Sequence, residues 1–154
     1  MKLSYYDLPF GAQLLIWTTR MIINGSCRTN PNKYELVEIA YKKVGLSNGM
    51  ILLKELLSFL KYKSFFNVQC ICSKILINNE INLINCIQYN KSKAFDNDYY
   101  IKIWNLEENK NEFTVVAKKL ANEFENKNLI TDLNCYLYSE ELSKQKIIIN
   151  KTLH

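Results

Sequence analysis

The chain is short of the residues that sharp turns and phosphate-binding loops require. Its 154 residues contain only 4 glycines and 2 prolines, and all-β folds need many tight turns built from such residues. The glycines also lack the spacing of a P-loop or of a dinucleotide-binding fingerprint. We therefore expect neither an all-β fold nor either of these nucleotide-binding motifs.

Histidine is nearly absent as well. The single histidine is His154, and serine or cysteine nucleophiles normally need a histidine base. The acidic pairs Glu107–Glu108 and Glu140–Glu141 have the pattern of solvated helix starts rather than of a catalytic carboxylate pair. We predict that the chain is not an enzyme and that it uses no cofactor.

Positive charge is moderate and dispersed. The net charge is +5, and the lysines form short groups along the whole chain. A dedicated nucleic-acid binder usually concentrates its basic residues on one element. Solvated helix faces are therefore the favoured interpretation, and weak nucleic-acid binding is retained as an alternative.

Long apolar runs are missing too. The N-terminal MKLSYYDLPF has no apolar region directly after its lysine, as a signal peptide would. Residues 14–23 are apolar, but Arg20 interrupts them and a span needs about 20 apolar residues. We expect no membrane span and a cytoplasmic location with reduced thiols.

What the chain does contain is helical periodicity. Apolar residues make up 48% of the sequence, enough for a real core in one domain. Spacings of three and four predict an all-α single domain, residues 1–154, built as a bundle of five or six helices. The predicted apolar faces are Phe10, Leu14, Trp17 and Met21; Val37, Ala40, Tyr41 and Val44; Leu53, Leu56, Leu57 and Leu60; Ile81, Ile84 and Ile87; and Phe113, Val116, Ala117, Leu120 and Phe124. A further helix is predicted from Ala94 to Trp104, and it carries Tyr99, Tyr100, Ile103 and Trp104.

At most one short β element is expected beside the helices. Residues 66–73 alternate with a period of two, which is typical of a strand or extended segment. The Ile147–Ile149 run makes residues 146–150 the candidate partner strand. The helical pattern weakens after Asn128, so residues 129–154 are predicted to be a peripheral or mobile tail.

The cysteines raise the question of chemistry. An odd count of 5 at irregular spacing does not form a disulfide framework, and structural zinc usually needs two close ligand pairs. Cys70 and Cys72 form one such pair, which Cys86, Cys27 or Cys135 could complete. Burial as reduced thiols in the core is the favoured interpretation. A redox-sensitive thiol and a metal site at Cys70, Cys72 and Cys86 are the alternatives.

Three further residues are candidates for a structural or interaction role. Arg20 lies on the most apolar helix, where its charge needs either water or a partner. Glu80, in the first turn of a later helix, is the predicted partner, and snorkelling of Arg20 to the surface is the alternative. Trp17 is predicted to lie in the buried centre of the bundle, whereas an exposed Trp17 would indicate a binding surface.

A resemblance adds to these expectations. The pattern Leu15-x-Trp17-x-x-Arg20, followed by Cys70-x-Cys72 and Leu76-x-x-Asn79-Glu80-x-x-Leu83, resembles a set of small uncharacterised helical proteins from alphaproteobacteria. The likeness covers residues 8–128, and Asn79 stands where those proteins carry an acid. It implies a bacterial cytoplasmic origin and no catalytic activity.

Together these patterns predict a non-enzymatic protein that interacts with, or regulates, another protein of the bacterial cytoplasm through a helix face. One alternative is a weak nucleic-acid binder. The other is a thiol-based redox or metal-binding protein that uses Cys70 and Cys72.

Overall fold

The computed structural model describes residues 3–25, 33–63 and 66–133. Within these ranges the chain forms six α-helices and no strand, which confirms the predicted all-α single-domain bundle. Short 3₁₀ turns occupy Tyr5–Asp7 and Glu107–Asn109. The helices are α1 (Phe10–Ile23), α2 (Lys33–Lys43), α3 (Gly49–Leu60), α4 (Asn78–Tyr89), α5 (Asp98–Ile103) and α6 (Lys110–Asn126).

The core forms where the predicted apolar faces meet. Helix α3 packs chiefly against α6, and α1 packs against α2 and α4. All four predicted leucines of α3 and all five predicted core residues of α6 are buried. Full burial of such a side chain contributes about 1.5–3 kcal/mol, so these two faces stabilise the bundle strongly.

The residues that follow α2 form a regular helix C-cap. Gly45 has a φ of +79°, a left-handed conformation that glycine adopts without steric cost. Its N–H donates to the Lys42 carbonyl at 3.1 Å, and the N–H of Leu46 donates to the Tyr41 carbonyl at 2.9 Å. These two bonds form a Schellman motif, and buried Leu46 anchors it to the core.

The starts of α1 and α5 depend on the turns that precede them. Asp7 belongs to the 3₁₀ turn before α1, and Pro9 is the N-cap residue of that helix. Helix α5 begins at Asp98 rather than near Ala94. The reason is a buried pair of side chains, Asn90 and Asn97, whose amides donate to each other at 2.7 and 2.8 Å and hold the intervening residues in turns.

Residues 66–73, predicted to be a short strand or an extended segment, form no strand. Phe66 and Val68 are buried as the alternation requires, but Cys70 is exposed. The chain turns there, because the Ser73 N–H donates to the Cys70 carbonyl at 2.9 Å. The described part of the chain contains one isolated antiparallel bridge, between Ser4 and Ile75. The expected partner, residues 146–150, lies outside the described residues.

Residues 129–133, the start of the predicted tail, pack against α1. The N–H of Ala12 donates to the Ile130 carbonyl at 3.2 Å, and both Thr131 and Leu133 are buried. Gly11 makes this approach possible, because a β-carbon there would lie 2.5 Å from the Ile130 oxygen. These residues therefore belong to the packed domain, while residues 134–154 lie outside the described part.

Candidate functional site

A buried ion pair joins α1 to α4. Arg20 and Glu80 each have 0% side-chain exposure. The Arg20 Nε donates to Glu80 Oε2 at 2.7 Å, and its Nη2 donates to Oε1 at 3.0 Å. This two-point geometry is the strong form of an arginine–carboxylate contact. The predicted pairing of Arg20 with Glu80 is thus confirmed, and the surface alternative for Arg20 is wrong.

The same pair holds the loop that precedes α4. Arg20 Nη1 donates to the Ser73 carbonyl at 2.8 Å, and Nη2 also donates to the Ile75 carbonyl at 3.2 Å. Glu80 accepts the backbone N–H groups of Gln69 and Ile77, each at 3.1 Å. We call this arrangement the Arg20–Glu80 clamp. It satisfies both buried charges and fixes four backbone groups of one loop, a role that the sequence pattern did not indicate.

The clamp brackets the cysteine pair. Gln69 directly precedes Cys70 and Ser73 directly follows Cys72, so both ends of the turn are fixed. The two sulfur atoms lie 3.4 Å apart, and both residues are exposed. Cys70 takes part in a disulfide.

The prediction that Cys70 and Cys72 are buried reduced thiols is therefore wrong. The physical reason is the turn, which rotates both side chains to the surface after Val68. Cys86 does have the predicted environment: it is buried in α4, and Asn90 Nδ2 donates to its sulfur at 3.5 Å. Burial raises the pKa of the Cys86 thiol, which makes it a poor nucleophile or metal ligand.

Metal ligands do not converge in the described ranges 3–25, 33–63 and 66–133. They hold no group of three or more histidine, cysteine, aspartate or glutamate residues placed to bind a metal ion. Cys70, Cys72 and Cys86 thus form no ligand set there.

An apolar groove runs between α1 and α2. Its volume is about 470 Å³. Phe10, 57% exposed, and half-buried Trp17 contribute its large apolar side chains. The predicted burial of Trp17 in the centre of the bundle is therefore wrong, although most of α1 around it is buried. We call this surface the α1–α2 groove, lined by Tyr5, Phe10, Gln13, Leu14, Trp17, Ala40, Lys43 and Val44.

Positive charge borders this groove. Lys43 lines it directly, and Lys42 precedes it in the last turn of α2. Lys42 lies 3.4 Å from Glu38, an exposed pair one helical turn apart. No acidic residue is among the lining residues of the groove. Further along α2, Leu36 and Ile39 are 43% and 45% exposed, so the apolar surface extends beyond the groove.

A second concave surface is basic. Lysines that are far apart in sequence meet around a cavity of about 350 Å³, which we call the lysine cavity. Lys91 Nζ donates to the Leu129 carbonyl at 3.0 Å, and Lys118 Nζ donates to the Phe95 carbonyl at 2.7 Å. Both contacts are to neutral groups, while the carboxylates of Glu125 and Asp132 offset part of the positive charge at Lys91. The lining residues are Asn90, Lys91, Lys93, Lys118, Lys119, Asn122 and Glu125.

Comparison with protein-family models, with curated proteins and with solved structures finds no match to this chain. The likeness to alphaproteobacterial proteins stays a prediction. Across the described residues, none of the helices has the length and apolar character needed to cross a membrane. Three features of the described residues bear on function: the clamped cysteine turn, the α1–α2 groove and the lysine cavity.

Proposed function

We propose that the chain is a non-enzymatic protein that binds another protein through the α1–α2 groove. The observation that carries this proposal is that exposed Phe10 and partly buried Trp17 lie along one concave apolar surface. Aromatic side chains that line a pocket supply most of the binding energy in many interfaces. Contiguous exposed apolar surface also marks interaction sites in soluble proteins.

The occupant that fits this groove is an amphipathic helix of the partner. Two helices form its walls, and a third helix can lay an apolar stripe between them in the helix-in-groove mode. Lys43, which lines the groove, favours a partner helix that carries an acidic residue beside that stripe. The partner motif is therefore apolar residues at positions i, i+3 or i+4 and i+7, with an aspartate or glutamate adjacent.

Affinity selection of displayed helical peptides on the full chain tests this proposal. Selected peptides should share the acidic amphipathic pattern and should lose at least about tenfold in affinity for Phe10→Asp, since one buried charge opposes an apolar contact. Lys43→Glu should weaken the same peptides. Tyr62→Asp is the matched control, because Tyr62 is 84% exposed and does not line the groove. Equal binding to Phe10→Asp would reject the groove.

A second candidate function is weak nucleic-acid binding at the lysine cavity. It is favoured by the convergence of Lys91 and Lys93 with Lys118 and Lys119, which the dispersed sequence positions concealed. Binding to phosphates releases counterions, so affinity for a single-stranded oligonucleotide should fall steeply with salt. Lys119→Ala should reduce the slope of log affinity against log salt by about one. Lys61→Ala, a lysine outside the cavity, should leave that slope unchanged.

The cytoplasmic location also belongs to this proposal. The cytoplasm keeps most thiols reduced, and disulfides found there are usually transient or redox-sensing. In that compartment the Cys70 disulfide would be a reactive bond rather than a structural one.

A further inference from the structure

The lysine cavity continues into a second concave surface that carries aromatic rings. This neighbouring cavity has a volume of about 520 Å³ and shares Lys91 and Glu125 with the lysine cavity, so the two lie side by side. Tyr89 and Phe95 line it. Both volumes fall within the roughly 300–1,000 Å³ of small-molecule pockets. We propose that the two cavities together bind a nucleoside phosphate, with its phosphate among the lysines and its base against Tyr89.

Tyr89 presents an accessible ring for stacking. It is 42% exposed, and Phe95 packs against it with a distance of 5.4 Å between ring centroids and an angle of 34° between ring planes. The Phe95 ring in turn lies 6.2 Å from the ring of buried Tyr100, which anchors both rings to the core. A base of any sequence can stack on an aromatic ring held in this way, because every base has a π-face.

The phosphate is assigned to Lys93, Lys118 and Lys119, which line the lysine cavity. Lysine ammonium groups bind phosphate oxygens as point charges. The Lys118 Nζ donates to the Phe95 carbonyl at 2.7 Å. Phe95 therefore positions both parts of the site, because its backbone holds a lysine while its ring packs against Tyr89.

The carboxylate of Glu125 sets the orientation of the ligand. Glu125 lines both cavities, and together with Asp132 it offsets part of the charge at Lys91. A carboxylate repels phosphate, but it accepts hydrogen bonds from hydroxyl groups and from the exocyclic amino groups of bases. The boundary between the cavities therefore favours the sugar, and the phosphate lies towards the other lysines.

The phosphate-binding part of this site is the lysine cavity of the second candidate function, on which the proposal rests. The base-binding surface at Tyr89 is additional. Free nucleotides and single-stranded nucleic acid share the chemistry of a phosphorylated nucleoside, so both are used as probes.

Isothermal titration calorimetry of the full chain with ATP, in the absence of metal ions, tests the site. ATP should bind more tightly than inorganic triphosphate, which lacks a base, and more tightly than adenosine, which lacks phosphate. Tyr89→Ala should weaken ATP binding at least about fivefold through loss of stacking and should leave triphosphate binding unchanged. Tyr89→Phe should bind ATP as wild type does, because it keeps the ring. Lys119→Ala should weaken binding of both ATP and triphosphate.

Tyr62→Ala is the matched control. Tyr62 is also exposed and also lies beside a lysine, with the Lys61 Nζ 5.5 Å from its ring centroid, but it lines neither cavity. Its replacement should leave ATP binding unchanged.

A short single-stranded oligonucleotide and an abasic chain of the same length identify the source of the ligand. Tyr89-dependent binding of ATP with no binding of either chain would support a free nucleotide and reject the nucleic-acid function. A preference for the oligonucleotide over the abasic chain that disappears in Tyr89→Ala would support single-stranded nucleic acid. Equal binding of ATP and triphosphate, together with equal binding of the two chains, would overturn the base site and leave phosphate binding intact. No binding of any probe would overturn both.

Discussion

Loss of either partner of the Arg20–Glu80 clamp should destabilise the domain strongly. Both side chains are fully buried, so Glu80→Gln leaves an uncompensated guanidinium in the interior, and Arg20→Met leaves an uncompensated carboxylate. Breaking a buried pair in this way costs about 3–5 kcal/mol. For a domain of this size that corresponds to a fall in melting temperature of about 6–20 °C, and it is a large part of a typical stability of about 5–15 kcal/mol.

The double variant distinguishes the free energy of the Arg20–Glu80 charge pair from that of the hydrogen bonds the pair makes to the loop. With both charges removed, the penalty for an unpaired buried charge disappears, and the double variant should cost less than the sum of the singles by about 0.5–3 kcal/mol. It should still be less stable than wild type, because glutamine keeps only one of the two oxygens that accept the N–H groups of Gln69 and Ile77. Amide hydrogen exchange at one of those two residues should therefore accelerate in Glu80→Gln.

Urea unfolding followed by circular dichroism measures these free energies. Lys42→Met and Glu38→Gln provide the matched control, since that ion pair is exposed and should contribute no more than about 0.5 kcal/mol. Single variants of the clamp that each cost under about 0.5 kcal/mol and simply add would refute the reasoning.

Four further predictions concern individual residues. Cys72 should react with a maleimide in the native state, whereas Cys86 should react only in denaturant. Burial raises the pKa of the Cys86 thiol and keeps the reagent away from it, so native labelling of Cys86 would contradict this prediction. Trp17→Ala should cost about 1–2 kcal/mol in urea unfolding, less than the about 3–5 kcal/mol of a fully buried aromatic residue, because Trp17 is half-buried. Asn97→Ala should cost about 1–3 kcal/mol in urea unfolding, because the buried Asn90 Oδ1 loses its donor while Asn90 Nδ2 keeps the Cys86 carbonyl; an unchanged unfolding midpoint would mean that water replaces the lost donor. Gly11→Ala should lower the melting temperature, since its β-carbon would meet the Ile130 carbonyl at 2.5 Å; an unaltered melting temperature would mean that residues 129–133 can move aside at no cost.

The helical bundle could be predicted because each helix is specified by apolar residues only three or four positions apart in the sequence. The leucines of α3 and the Phe113–Phe124 stripe of α6 repeat at helical spacing and can be buried only along one face. The end of α2 is specified by two adjacent residues, because a glycine such as Gly45 followed by an apolar residue such as Leu46 is typical of a helix C-cap. Arg20 could be paired with Glu80 because a charge on a helix that is apolar on nearly every side has few ways to be satisfied.

The features that escaped prediction depend on contacts between distant segments. Helix α1 is apolar around most of its circumference, so the pattern could not show that Trp17 borders a groove while Leu15 and Ile16 are enclosed. The period of two at residues 66–69 stops at a turn fixed from outside by Arg20 and Glu80. The lysine cavity forms only when the loop after α4 folds back onto α6.

Binding of a selected acidic amphipathic peptide to the isotopically labelled full chain, followed by amide chemical-shift mapping, tests the central proposal most directly. The proposal predicts that the largest shifts fall along one face of α1, from Phe10 to Trp17, and at the end of α2, from Ala40 to Val44. The same shifts should be absent in Phe10→Asp. Shifts centred on the lysine cavity around Lys118 and Lys119, with the α1–α2 groove unchanged, would contradict it.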